Sequence, residues 1–169
     1  MTTSEPEVQY WDSCLFIDLL LNRRPERVKA ILEALGEVRA GRARIVLSNF
    51  TICEVRPHSD HQPDYQKDVE ELLEGNYGYI SWYGLTPTIA RRARDIGARH
   101  PELTPADCVH LATALEAGAT VFFTYDGEGK PRRRFRKLLT YDNKLQKDGG
   151  HPLRILTPSI NKGPMFGGR

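Results

Sequence analysis

Residues 103–126, LTPADCVHLATALEAGATVFFTYD, contain a helix start, a helix stop and a buried strand in succession. Thr104, Pro105 and Asp107 occupy the N-cap, N1 and N3 positions of a capping box, so a helix is expected to open there. Gly118 stops it, and Thr120–Thr124, short, apolar and bounded by turn residues, reads as a strand. Asp107 opens the helix and Asp126 follows the strand, which places two carboxylates at the edges of apolar segments.

The same arrangement recurs upstream. A strand over Val8–Trp11 ends near Asp12, and the helix that follows begins within SCLFIDLLLNR. Its Leu15, Ile17, Leu19, Leu20 and Leu21 are apolar nearly all round, which predicts burial against other elements. Pro25 opens a second helix to about Gly41, with Val28, Ile31, Leu32, Leu35 and Val38 at helical steps. A strand over Arg44–Leu47 leads to a helix capped by Ser48 or Asn49 that carries Ile52 and Glu54, and Pro57 should end it. Beyond the polar loop PHSDHQPDY, a helix is expected over residues 64–74 with Val69, Leu72 and Leu73 inward. A strand over Tyr79–Tyr83, a helix through Ala98 and a last strand over Leu153–Leu156 complete the series. Such alternation predicts an α/β fold, a mostly parallel sheet of about four to five strands flanked by helices. Sheets of this kind bind ligands outside the carboxyl ends of their strands, where Asp12, Glu54, Asp107 and Asp126 can converge.

Composition sets the outer limits. The 169 residues suit one domain, and 40% hydrophobic with 27% charged residues is ordinary for a globular chain. A net charge of +2 is too small to argue for a nucleic-acid partner by itself. Cys14, Cys53 and Cys108 form no CxxC pair and sit in apolar runs, so buried reduced thiols and a cytoplasmic setting are expected. No apolar run approaches the ~20 residues of a membrane span, and the first residues lack a basic and apolar leader pattern. Residues 127–139, GEGKPRRRFRKLL, interrupt the pattern as a basic insertion between two copies of Thr-Tyr-Asp, at 124–126 and 140–142. The tail, 161–169, has little to bury and is expected to be disordered, leaving one domain over 1–160.

Several carboxylates gathered without a cation would repel one another; oxygen ligands shared with Mg²⁺ or Mn²⁺ remove that conflict. A bound cation lowers the pKa of water and neutralises charge on a transferring phosphoryl group, the two needs of phosphodiester hydrolysis. Each acid also has a local alternative. Asp107 can be a cap, Asp12 a turn residue, Glu54 a solvent-facing helical acid and Asp126 the start of an Asp-Gly turn. His110, one turn after Asp107, can orient substrate or serve the core, and its role stays open.

The blocks WDSCLFIDLL, LSNFTICEV and LTPADCVHLATALEAGATVFFTYD, with the closing PLRILTP at 152–158, together resemble the PIN-domain family as found in VapC-type toxin ribonucleases. The resemblance covers about residues 8 to 126 in order and spacing, and it implies the three-layer PIN-like fold. It also implies that Asp12, Glu54, Asp107 and Asp126 hold one or two Mg²⁺ or Mn²⁺ ions and cut RNA, with Ser13 and Thr124 supporting the cluster through their hydroxyls. LLTYDNKL matches the family's last acidic motif nearly as well as FFTYDGE, so Asp142 is a further candidate ligand; Asp126 is preferred because it directly ends its strand. An antitoxin partner and a homodimer follow from the same resemblance. Lys130, Arg132, Arg133, Arg134, Arg136 and Lys137 are candidate contacts to an RNA backbone. The proline-interrupted loop with His58 and His61 and the basic insertion depart from the family pattern. Two rivals remain: a non-catalytic PIN-like RNA-binding or scaffold module, and a phosphatase with Asp12 as nucleophile. The second usually needs an acid two residues later, where this chain has Cys14.

Overall fold

The computed structural model describes residues 5–22, 24–55, 67, 70–71, 75, 77–128, 138–147 and 149–159. Five strands, β1 (Glu7–Trp11), β2 (Ala43–Ser48), β3 (Ile80–Tyr83), β4 (Val121–Phe123) and β5 (Arg154–Leu156), form one sheet in the order β3-β2-β1-β4-β5. All four strand pairs are parallel, with Tyr10 opposite Val46 on one side and Phe122 on the other. β1 is therefore central, and the chain reverses its direction of travel across the sheet between β1 and β4. A crevice at that reversal is where such sheets seat their ligands.

Side-chain alternation along the strands divides the core into two layers. Tyr10, Val46, Phe122 and Ile155 face helices α4 (Pro87–Arg99) and α5 (Pro105–Glu116). Trp11, Ile45, Leu47, Val121 and Phe123 face α1 (Ser13–Leu21) and α2 (Pro25–Arg39) on the other side. The expected helix-sheet-helix architecture is thus present. Parallel strands buried on both faces also explain why the strand segments read as continuous apolar runs.

Local sequence accounts for the element ends. Asp12 caps α1 by accepting the Ser13 N–H, and Asn22 closes that helix in the left-handed region at φ 46°. Thr104, Pro105 and Asp107 form the expected capping box on α5. Gly118, at φ 71°, ends α5 in a Schellman turn, donating to Leu115 while Ala119 donates to Ala114. The short α3 (Phe50–Glu54) begins where Ser48 Oγ accepts the Phe50 N–H at 3.1 Å, so Ser48 rather than Asn49 supplies the cap.

Two expectations need correction. Leu32 is 50% exposed, because the buried arc of α2 is centred on Ala30, Ile31 and Val38 and position 32 falls beyond its edge. Cys53 is exposed, since α3 turns Thr51 and Val55 inward, whereas Cys14 is half-buried and Cys108 buried. Of the helix expected over 64–74, only Lys67, Glu70 and Glu71 are described, all helical; Val69, Leu72 and Leu73 lie outside the described residues. The polar loop at 57–63, the basic residues 130–137 and the tail 161–169 also lie outside them. Among the described residues, no helix is long and apolar enough to cross a membrane.

Candidate metal centre

Asp12 leaves the central strand where the strand itself is pinned: its N–H donates to the Phe123 carbonyl at 3.0 Å, extending the β1–β4 ladder by one bond. Its side chain is held from two sides. Oδ1 accepts the Ser13 N–H at 2.8 Å and the Ser13 hydroxyl at 3.4 Å. Oδ2 accepts the Thr124 hydroxyl at 2.6 Å and the Cys14 thiol at 3.3 Å. Ser13 and Thr124 therefore both touch the acid that the sequence reading paired them with. Burial pushes the Asp12 carboxyl above the usual carboxylate range, and the charge of His110 and the bonds from Thr124 and Cys14 offset only part of that shift.

Glu54 is the last residue of α3, and its Oε2 lies 2.6 Å from His110 Nε2. His110 projects from α5 one turn after Asp107 and is buried. Its Nδ1 lies 2.6 Å from the hydroxyl of Tyr10, which in turn accepts the Ser48 N–H at 3.2 Å. Burial alone would lower the His110 pKa. The hydrogen bond to Glu54 and the charges of Asp12, Glu54 and Asp107 outweigh it, so the imidazole titrates above its ordinary value. Burial likewise raises the Tyr10 phenol far above its usual range.

Among the described residues, Asp12, Glu54 and His110 are the one set of His, Cys, Asp and Glu side chains whose ligand atoms all lie within 4.8 Å of one another. Two of the four acids singled out in the sequence are thus brought together directly. Asp107 stands next to them: its charge acts on His110, while its Oδ2 accepts the Thr104 N–H at 2.9 Å and the Thr104 hydroxyl at 2.7 Å. The capping role is present, and the half-buried carboxylate still faces the open end of α5.

Asp126 is exposed and serves the backbone. Its N–H donates to Thr124 Oγ1 at 2.9 Å, its Oδ2 accepts the Leu138 N–H at 3.1 Å, and its carbonyl accepts the Leu139 N–H at 3.1 Å. Asp126 therefore closes the base of the basic insertion, and Thr124 Oγ1 joins Asp126 to Asp12. Asp142 sits against the edge strand β5. Its Oδ1 accepts the Ile155 N–H at 2.7 Å and its Oδ2 the Asn143 amide at 3.1 Å, which ties the short 3₁₀ turn Leu138–Tyr141 to β5.

Sequence reasoning left His110 open and missed Tyr10 and Cys14 as neighbours of the acids. One signal was present: His110 is three residues after Asp107 and so shares its helix face. Nothing local marks Tyr10, which reaches His110 from 100 residues away.

A PIN-domain family model matches residues 10–147. Among curated proteins none matches the chain by sequence. Two solved structures resemble it in fold. One is a toxin-antitoxin complex from Klebsiella pneumoniae, 19% identical, with a TM-score of 0.51, covering 71% of this chain and 88% of that one. The other is VapBC2 from Rickettsia felis bound to a DNA fragment from its promoter, 10% identical, with a TM-score of 0.55, covering 69% and 86%. At these identities the likeness concerns the fold, whereas the sequence match spans most of the chain and includes the end of β1, the acid that follows it and α5. The chain belongs to the PIN-domain family.

Proposed function

We propose that this chain is a divalent-metal-dependent endoribonuclease and the toxin of a toxin-antitoxin pair. The observation that carries the reading is the convergence of Asp12 and Glu54, 42 positions apart in sequence, on one point at the carboxyl end of the central strand. The donor set fits Mg²⁺ or Mn²⁺, since carboxylate oxygens are the ligands such cations prefer. Burial of Asp12 gives a second reason: a carboxylate held above its usual range is relieved by a cation. When bound, the cation supplies charge neutralisation at the phosphoryl group and a more acidic water.

The chain's own residues supply placement. Asp12 and Glu54 hold the cation, Ser13 and Thr124 fix the Asp12 carboxylate, and Asp107 adds negative charge beside them. Asp126 stands at the solvent side of Thr124, where an extended strand of RNA can approach. Arg132, Arg133, Arg134 and Arg136 are assigned the RNA phosphates on their charge and their place in the sequence alone. Asp142 is left with a fold-holding role. The antitoxin partner is inferred from the complexes to which the fold is similar, and a homodimer from the family resemblance.

Purified protein should cut RNA with Mg²⁺ or Mn²⁺, stop with chelator, and lose cutting in Asp12→Ala. Unchanged cutting by that variant would sink the proposal. A second reading, a non-catalytic RNA-binding or scaffold module, is favoured by one observation: Asp107 and Asp126 both spend an oxygen on capping backbone N–H groups. A metal titration with RNA separates the two, because a scaffold binds RNA and shows no turnover at any metal concentration.

A further inference from the structure

The geometry points to His110 as a positioning residue for Glu54, with Tyr10 fixing its tautomer, and not as a ligand of the cation. The inference rests on the metal-dependent reading above and assigns the third member of the cluster. By proximity alone His110 would be counted with Asp12 and Glu54, since its ring nitrogen lies within 4.8 Å of both carboxylates. Its hydrogen bonds say otherwise.

Both ring nitrogens are engaged. Tyr10 O already accepts the Ser48 N–H at 3.2 Å, so its own proton is free to go to His110 Nδ1, 2.6 Å away. Nε2 then carries the imidazole proton, which points at Glu54 Oε2 at 2.6 Å. An ionised carboxylate can only accept, so the proton belongs on Nε2 in the neutral ring and in the imidazolium alike. A nitrogen bearing that proton has no lone pair to give a cation. Glu54 then meets the ion through carboxylate oxygen alone, and the donor set facing the cation is all oxygen.

The surroundings of the ring suit this task. Tyr10 is locked by stacking on Phe122, with centroids 4.8 Å apart, and the imidazole packs edge-on against Tyr10 and Phe50, at 5.8 Å from each. Glu54 needs such support because it ends a helix of five residues, too short to orient a long side chain by itself. α5, twelve residues long and capped at both ends, provides the rigid base from which His110 reaches across. Outer groups of this kind hold a ligand in its binding rotamer, and their loss costs about 10- to 100-fold in metal affinity.

Two measurements test the assignment, neither of them an activity. In wild-type protein with ¹⁵N-labelled histidine, two-bond ¹H–¹⁵N spectra should show a proton on His110 Nε2 that stays when Mg²⁺ is added. A bare Nε2, or one that loses its proton on Mg²⁺ addition, would overturn the inference. In Mn²⁺ titrations followed by calorimetry, His110→Ala should weaken binding about tenfold or more. His110→Gln, whose amide can still donate to Glu54, should recover to within a few-fold of wild type, and Tyr10→Phe should fall between. Unchanged binding in His110→Ala, or a Gln variant as weak as the Ala variant, overturns the positioning role. A wild type that takes up no Mn²⁺ overturns the nuclease reading itself, a result on which the tautomer measurement does not depend.

Discussion

The carboxyl ends of β1 and β4 lie side by side, yet their acids are used in opposite ways. At β1 the side chains bond mainly to other side chains, Thr124, Ser13 and Cys14 to Asp12 and His110 to Glu54, with the Ser13 N–H on Asp12 Oδ1 as the one backbone partner described above. At β4 and beyond, the carboxylates bond to the backbone, Asp126 to Leu138 and Asp142 to Ile155. An acid held by side chains can change partners when a ligand arrives and leave the chain path intact. An acid that satisfies a backbone N–H is part of the path, and releasing it orphans a donor at a cost of about 1–3 kcal/mol if that donor is buried.

The largest expected break of this contrast is Asp12→Asn. RNA cutting and Mn²⁺ binding should fall by at least ~10²-fold, more than for an outer residue. The metal-free protein should nevertheless become more stable at neutral pH, by about 0.5–2 kcal/mol. The sign follows from the raised carboxyl pKa. A group that binds its proton more tightly folded than unfolded contributes fully below its unfolded pKa, and that contribution is lost as pH rises through the folded value. Asparagine cannot ionise and escapes the loss, so thermal melts of the two apoproteins should diverge as pH rises from the ordinary carboxylate range toward neutrality.

Asp142→Ala should do the reverse. It leaves Mn²⁺ affinity alone and lowers stability by about 1–2 kcal/mol, through the unpaired Ile155 N–H, in urea unfolding. Asp126→Asn sharpens the boundary between the two regions. The amide oxygen can still accept from Leu138, so stability should hold, and any drop in RNA cutting measures what the Asp126 charge does at the site. If cutting is also unchanged, Asp126 belongs wholly with Asp142.

A smaller effect is expected at Arg27, which joins α2 to the segment after β4. Its guanidinium bonds Asp18 and Glu128 at 2.6 Å each and lies 4.1 Å over the Tyr125 ring. Arg27→Met keeps much of the packing and removes those bonds. Stability should fall by about 1 kcal/mol, Glu128 being well exposed, and KM for RNA should rise more than kcat falls as the segment carrying Asp126 loosens.

Much of the fold was legible because its signals are local. Capping residues at Thr104–Asp107, the stop at Gly118 and the short apolar strands can each be read within a dozen residues, and all stand where expected. Strand order was not legible, since β1 pairs with segments that begin at Ala43 and Val121 and no single stretch encodes both. The site divides in the same way. Asp12 and Glu54 announce themselves by following strands. The Tyr10–His110–Glu54 chain depends on three elements meeting in space, and a buried histidine flanked by apolar residues looks in sequence like ordinary core. Leu32 and Cys53 went wrong for a related reason: periodicity places a residue near a face, and packing decides where that face ends.

The central place of β1 also has a meaning in time. Of the four acids Asp12 is made first, and it waits long for its supports, because its Thr124 partner is encoded 112 residues later. At roughly 5–20 residues per second that interval is about 6–22 s of synthesis. For the part of this period between Glu54 and Pro105, a nascent chain has Asp12 and Glu54 but neither α5 nor β4 to hold them. The topology thereby delays assembly of the acid cluster until most of the protein exists.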